Sequence, residues 1–389
     1  MPKERLPVKT FRIPYTEIRR GYRSAVYFWR TKKVMETQDV IVTMQFFQKK
    51  NSIVCGVDEA IAILKTCAGR YKDQEAANKA FDLYKLQHEQ HYVHELNALW
   101  ELGWDQLEVK ALYDGNLAEP FEPVLQICGP YSLFAHLESV LLGVMARQTK
   151  IATNVKEVVS AANDKPVLMF ADRFDHYATQ GGDGYAAKIG GAEGYATDAM
   201  TQWWGGFGMG TMPHALIAAF GGDLVAACSA FHNEYPDVAL TPLVDFHNNC
   251  VEQSLEVLEA FGDLLWGVRL DTSEKLVDKS LEGDIWYKDP TGRFGNVKNE
   301  TLNGVSIPLV KKVRAALDVH GGHDVQIVVS GGFNAEKITL FEKAKAPVDV
   351  YAVGEGLLKG QTSYTADVVE PVAKVGRGLK PEERLTLVT

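Results

Sequence analysis

The sequence has few cysteines, and they are not arranged to act together. Cys55, Cys67, Cys128, Cys228 and Cys250 are an odd number with no CxxC spacing. That excludes a disulfide-stapled scaffold and a Cys-based zinc knuckle, and leaves reduced, mostly buried thiols as the expectation. Long apolar runs are also missing. Nothing approaches the roughly 18 residues of a membrane helix, and the opening MPKERLPVKTFRIP lacks the apolar centre of a signal peptide. The expectation is a soluble, cytoplasmic protein with no membrane partner. Positive charge is in deficit as well: 41 Lys+Arg stand against 50 Asp+Glu, a net charge of -9 with no local basic stripe, which disfavours a nucleic-acid partner.

At 389 residues the chain exceeds the size at which one core keeps growing, so two domains are expected. The first third mixes short β-rich runs (Ser24 to Trp29, Val40 to Phe47, Ser52 to Val54) with helical stretches at Val57 to Thr66 and Glu75 to Leu102. Val109 to Tyr113 and Pro123 to Cys128 are further strand candidates, and Tyr131 to Thr149 has the spacing of a long buried helix. From about residue 166 short buried-type runs alternate with helices, as parallel β/α units do. The six runs are Val167 to Ala171, Gly206 to Gly210, Leu240 to Phe246, Leu264 to Leu270, Val325 to Val329 and Val348 to Val353. Helices fit at Pro213 to Tyr235, Asn248 to Phe261, Ile307 to Val319 and Asn334 to Ala344. Gly283 to Gly304 is polar and Gly-rich, an exposed excursion or lid. Val368 to Val375 is β-like without an obvious place in that alternation, so the expectation is that it returns to the first domain.

Two glycine turns carry the clearest chemistry. VQIVVSGGFNAEKI and VDVYAVGEGLL each put glycines at the end of a strand run, where amide N–H groups and an adjacent helix N-terminus can surround a phosphate. Ser330, Gly331, Gly332, Gly354 and Gly356 are the candidate donors. Two ordinary tight turns are the alternative, but their pairing on consecutive strands favours the phosphate.

The other strand ends offer Asp172, Arg173 and His176, then Thr211 and His214, then Asp245 and His247, then Arg269, Asp271 and Thr272. Cations for phosphates beside carboxylates for sugar hydroxyls or Mg²⁺ suit a phosphorylated sugar. A structural Arg269–Asp271 ion pair and capping roles for Asp245 and His214 are the plainer readings. GGFGMGTMPH matches a loose GxGxG, but no βαβ unit with a following acid supports a dinucleotide site. His88, His91 and His94 lie one turn apart without HExxH spacing, which favours a solvated helix face over a metal site.

Taken in order, SAVYFWRTKKV, GVMARQTKIAT, FADRFDH, GMGTMPH, PLVDF, GVRLDT, VSGGFN and VGEG resemble the nicotinate phosphoribosyltransferase family, in its compact bacterial and archaeal branch. The resemblance covers most of the chain. It implies an α/β fold: an irregular, incomplete β/α barrel of the type II phosphoribosyltransferase kind (131–357), flanked by a sandwich-like domain built from residues 1–130 and a returning tail (358–389). It implies a pentosyltransferase that condenses nicotinate with 5-phosphoribosyl 1-pyrophosphate for NAD salvage, with Mg²⁺, and with ATP as co-substrate hydrolysed through a phosphorylated histidine, as in ligase-type enzymes. A homodimer with shared active sites is implied too.

Carried over by motif, His214 becomes the phosphoryl acceptor, with Arg269 and Asp271 beside it as catalytic residues. Thr211 lies near nicotinate; Arg173 and Arg269 hold the carboxylate or the pyrophosphate; Asp245 and Asp271 serve the ribose and metal region, the metal ligands themselves staying unassigned. Tyr27 stacks on the pyridine across a dimer interface, and His176 joins the substrate-binding set. The two glycine turns take the 5-phosphate. Ala25, Phe174, Asn248 and Leu357 depart from the family pattern, where Asp, Arg, Asp and Thr are usual. Quinolinate or nicotinamide phosphoribosyltransferase activity is the rival enzyme reading, and a catalytically reduced binding relative is the rival outside catalysis. An isomerase or aldolase barrel would need a catalytic Lys or Glu at a strand end, and the runs offer none.

Overall fold

A computed structural model describes residues 4–38, 40–73, 75–76, 98–284, 287–288, 294–295, 301–361 and 363–389. His88, His91 and His94, most of the helix expected from Glu75, and much of the 283–304 excursion lie outside the described residues. The main elements, in chain order, are α1 (Val26–Met35), β1 (Ile41–Gln48), α2 (Val57–Cys67), β2 (Glu108–Ala111), β3 (Pro123–Pro130), α3 (Glu138–Ala161), β4 (Val167–Met169), α4 (Gln180–Gly190), β5 (Gly194–Tyr195), α5 (His214–Ala219), α6 (Leu224–Glu234), α7 (Cys250–Phe261), β6 (Gly267–Leu270), α8 (Ile307–Val319), β7 (Gln326–Val329), α9 (Ala335–Lys343), β8 (Val350–Val353), β9 (Tyr364–Glu370) and β10 (Thr386–Leu387).

Two compact units result, one of Met1–Thr153 with Gly360–Thr389 and the other of Asn154–Lys359. The boundaries read from the sequence were 130/131 and 357/358. In the first unit an antiparallel sheet runs in the order β9-β1-β3-β2-β10. The start of the β-like tail, Val368 to Glu370, ends β9 against β1, with Met44 opposite Val368 and Phe46 opposite Ala366, while residues 371–375 are not strand. Phe46, Leu125, Ile127, Leu64 and Met145 are among the side chains that fill this unit's core.

Two expectations fail here. Ser24 to Trp29 does not form a strand: from Val26 it is the first turn of α1, because Trp29 and Lys32 are buried three residues apart while Tyr27 and Arg30 are exposed, a helical repeat that the aromatic and β-branched content obscured. Trp100–Leu102, expected at the end of a helix, is a short strand paired with Gly69–Tyr71.

The second unit holds a parallel sheet in the order β6-β7-β8-β4-β5. Its last strand, β8, pairs with its first, β4, placing Tyr351 opposite Val167 and Val353 opposite Met169. Leu240 and Leu243 add parallel bridges to Leu265 and Arg269 beyond β6. Gly206–Gly210 is not a strand, contrary to expectation; the strand at that place in the order is β5, and Met209 N–H donates to Tyr195 O beside it at 2.7 Å. Glycine content explains the irregularity, since Gly208 lies too close to Thr197 and Asp198 for any side chain. The single helix expected at Pro213 to Tyr235 is two, α5 and α6, broken where Gly221 and Gly222 take φ of 69° and 92°. Asp223 then caps α6 by accepting the Ala226 N–H at 2.8 Å.

Candidate functional site

The ends of β6 and β7 build the centre of the site. Parallel pairing carries one step past the strands, with Ser330 N–H donating to Leu270 O at 2.9 Å. That step places the Ser330 hydroxyl between Arg269 and Asp271. It donates to Asp271 Oδ1 at 2.6 Å and accepts from Arg269 Nε at 2.9 Å. The same guanidinium donates through Nη1 to Thr211 Oγ1 at 2.9 Å and lies 3.6 Å from Asp271 Oδ2 through Nη2. Its Cζ lies over the Phe170 ring, 5.3 Å from the centroid. Burial pushes the Arg269 guanidinium down from its ordinary pKa, while Asp271 and Asp245 oppose that shift and Arg173 adds to it. The plainer reading of Arg269 and Asp271 as a simple ion pair is too small: they belong to a four-residue chain of polar contacts that fixes the guanidinium plane.

A second pair stands beside it. His214, the first residue of α5, has Nε2 2.9 Å from Asp245 Oδ1. An ionised carboxylate has no proton to give, so Nε2 carries the hydrogen and Nδ1 keeps its lone pair when the ring is neutral. The hydrogen bond to Asp245 raises the His214 pKa above its ordinary value; partial burial works against it, and Asp245 and Asp271 charges reinforce it against Arg269. Asp245 therefore holds the ring rather than capping the helix that follows.

The glycine turns have distinct constructions. Gly331 and Gly332 take φ of 82° and 66° at the end of β7, and their amide N–H groups make no hydrogen bond to a described residue. Backbone N–H groups left without a protein acceptor on adjacent turn residues suit an anion. Asn334 caps α9 by accepting the Lys337 N–H at 2.8 Å, and the Lys337 ammonium donates to Gly331 O at 3.2 Å. Gly354 is closely backed instead: a side chain there would meet the Phe174 ring at 2.5 Å and Phe170 O at 2.8 Å. Gly356 faces Phe333 O in the same way, at 2.8 Å.

Of the residues singled out in the sequence, the structure joins Arg269, Asp271, Thr211 and Ser330 in one network and His214 with Asp245 in another. Arg173 is exposed, its guanidinium 5.4 Å from the Phe174 ring. His176 is not drawn into either network; its Nδ1 accepts the Ala178 N–H at 3.2 Å and caps a short turn. Tyr27 belongs to the first unit, on α1, and is 63% exposed. Sequence reasoning missed Phe170, Lys337 and Glu274. Phe170 and Lys337 lie within or beside the motifs already read, whereas Glu274, whose carboxylate rests against Gly332, carried no signal.

No protein-family model matches the chain. Curated relatives do. Nicotinate phosphoribosyltransferase pncB2 of Mycobacterium tuberculosis is 27% identical over 269 residues, 67% of this chain and 50% of that protein. The chain spans about half the length of the curated relatives it matches. Among solved structures, nicotinate-nucleotide pyrophosphorylase from Pyrococcus furiosus superposes with a TM-score of 0.71 at 29% identity, covering 94% of this chain and 81% of that one. Human nicotinic acid phosphoribosyltransferase does so with a TM-score of 0.63 at 18% identity, over 90% of this chain and 75% of that one, a likeness of fold. The resemblance read from the motifs is thus shown by relatives that bear the family's name, on a mixed α/β fold.

Proposed function

We propose that this chain is a nicotinate phosphoribosyltransferase that works in NAD salvage, with the second unit as an irregular, incomplete β/α barrel. The observation that carries the reading is the chain Thr211–Arg269–Ser330–Asp271, which leads from a fixed guanidinium to the paired left-handed glycines at the end of the next strand. A phosphorylated sugar with a second anionic group fits those parts: the 5-phosphate on the Gly331–Gly332 amides, the ribose hydroxyls on Asp271, the pyrophosphate or the nicotinate carboxylate near Arg269 and Arg173.

The reaction asks little of proton transfer. The pyridine nitrogen attacks ribose C1 with its own lone pair, the C1–O bond breaks, and the electron pair leaves on pyrophosphate. The protein must hold both partners in line and stabilise an oxocarbenium-like sugar against departing negative charge. Arg269, held by Ser330 and Thr211, would take the departing negative charge. The ring of Phe170 beneath it helps to exclude water.

Mg²⁺ fits the donor set in a limited way. Among the described residues no cluster of three or more His, Cys, Asp or Glu could hold a metal, but Mg²⁺ is commonly bound by one or two carboxylates with substrate phosphates supplying the rest. Asp271 and Asp245 are the carboxylates in place. When bound, the ion would offset charge on the leaving pyrophosphate.

ATP coupling rests on His214. With Nε2 committed to Asp245, Nδ1 is the nitrogen left to take the terminal phosphoryl group as its P–O bond to ADP breaks and ADP leaves, and Asp245 would stabilise the imidazolium that forms. A homodimer in which Tyr27 reaches the partner's pyridine site completes the proposal; its exposure on α1 is compatible with that role.

The test is product formation from phosphoribosyl pyrophosphate and Mg²⁺ with nicotinate, nicotinamide or quinolinate, each with and without ATP. Nicotinate alone should give a mononucleotide, faster with ATP. Turnover of quinolinate, or of nicotinamide in preference to nicotinate, would replace the proposed substrate, and absence of product with all three would remove the enzyme reading.

A further inference from the structure

We infer that Asp278 is a positioning residue for the phosphoribosyl pyrophosphate site, holding the loop that starts at Asp245 in register with the loop that starts at Asp271. The inference rests on the function proposed above. Asp278 is fully buried, at 0% exposure, yet touches none of the site residues described. Its carboxylate is consumed by donors from two segments. Cys250 N–H, at the first residue of α7, reaches Oδ1 and Oδ2 at 3.2 and 3.0 Å. Ser280 donates to Oδ1 through its N–H at 2.9 Å and its hydroxyl at 2.6 Å.

Around that carboxylate the two loops are laced together. Asn248 Nδ2 donates to Val277 O at 2.8 Å, and Lys279 N–H donates back to Asn248 O at 2.9 Å. Val251 N–H donates to Ser280 Oγ at 3.2 Å, and Cys250 Sγ lies 3.5 Å from Thr272 Oγ1. Asn248 is held at φ 55°, a left-handed conformation in which asparagine is tolerated. A negative charge at the N-terminus of a twelve-residue helix is favourable, and burial makes each bond to it strong.

The consequence is geometric. His214 depends on Asp245, and Ser330 and Arg269 depend on Asp271. Those two carboxylates open the two loops that Asp278 fastens. A ligand that spans both needs their separation fixed, and a misplacement of about 1 Å at such a site can cost about a hundredfold in rate. A ligand that uses only one of them does not. The lace therefore serves the large bis-anionic substrate more than the small base.

Calorimetry on the full chain separates a positioning role from a merely structural one. Asp278→Asn keeps the shape but turns an amide toward the N–H donors; Ser280→Ala removes one hydroxyl, and Ser280→Thr retains it. The dissociation constant for phosphoribosyl pyrophosphate with Mg²⁺ should rise about tenfold in Asp278→Asn and about threefold in Ser280→Ala, and stay within about twofold in Ser280→Thr. Nicotinate binding should be unchanged in all three. Wild-type affinity for phosphoribosyl pyrophosphate in both Asp278→Asn and Ser280→Ala, or loss of both ligands in proportion to a lost folded fraction, overturns the positioning role alone. If Asp278→Asn does not fold, Ser280→Ala against Ser280→Thr decides. A wild-type protein that fails to bind phosphoribosyl pyrophosphate overturns the proposed function, and the positioning role with it.

Discussion

Arg269 and Ser330 are locked together across adjacent parallel strands, the guanidinium Nε donating to the serine hydroxyl at 2.9 Å while that hydroxyl donates a hydrogen bond to Asp271 Oδ1 at 2.6 Å. Removing the hydroxyl leaves a half-buried guanidinium N–H and a carboxylate oxygen each short of a partner, at roughly 1–3 kcal/mol. Ser330→Ala should weaken phosphoribosyl pyrophosphate binding about tenfold and nicotinate binding by less, read by calorimetry. Equal loss for both ligands would point to general disorder of the strand end.

The His214–Asp245 pair sets a pH dependence. Since Asp245 raises the His214 pKa above its ordinary value, the imidazolium persists further into neutral pH, and the nucleophilic neutral ring appears only as pH rises past that raised value. ATP hydrolysis should climb through that range. Asp245→Asn should move the inflexion to lower pH, and His214→Ala should abolish ATP stimulation while slower nucleotide synthesis persists. An inflexion that stays put in Asp245→Asn would disconnect the pair from the ATP step.

Gly332 combines φ of 66° with the Glu274 carboxylate packed where a side chain would go. Gly332→Ala should cost about 1–2 kcal/mol from backbone strain. Adding Glu274→Ala relieves the collision and leaves the strain, so unfolding in urea should show only partial recovery. Full recovery would mean that the left-handed backbone there is not what requires glycine.

Much of this site was legible because its chemistry sits at strand ends. The runs ending at Leu270 and Val329 are short, apolar and bounded by turn residues, so period and punctuation put Arg269, Asp271 and Ser330 at strand ends. The helix Ile307–Val319 was read to the residue, since Ser306 caps it and Pro308 lies in its first turn. What failed has equally physical causes. Gly206–Gly210 has strand-like spacing but no side chains to pack, and Val26 to Trp29 has strand-like composition on a helical burial repeat. Asp278 gave no sign at all, because its role is a meeting of two loops some thirty residues apart, and the sequence shows neither loop's path.

Lys32 offers a check on the first unit. Its ammonium is buried, donating to Gly69 O at 2.5 Å and Ser132 O at 2.6 Å, with Glu36 3.2 Å away, and burial pushes its pKa down to about 8. The folded chain thus releases this proton near pH 8 while the unfolded chain keeps it to about 10.5. The cost of the buried charge is fully present below pH 8 and fades as pH rises through that window. The stability difference between wild type and Lys32→Met should therefore shift in favour of wild type from pH 8 to 10, measured by urea unfolding. A pH-independent difference would show that Lys32 titrates normally.

On the proposed function, the two glycine-turn strands and Arg269 hold phosphoribosyl pyrophosphate for attack by nicotinate. The most direct measurement of this is phosphorus NMR of phosphoribosyl pyrophosphate incubated with the protein, Mg²⁺ and nicotinate. Nicotinate-dependent conversion to one mononucleotide phosphate signal per pyrophosphate released is expected, greatly slowed in Arg269→Ala. Phosphoribosyl pyrophosphate that stays intact, or that is consumed at the same rate without any base, would contradict it.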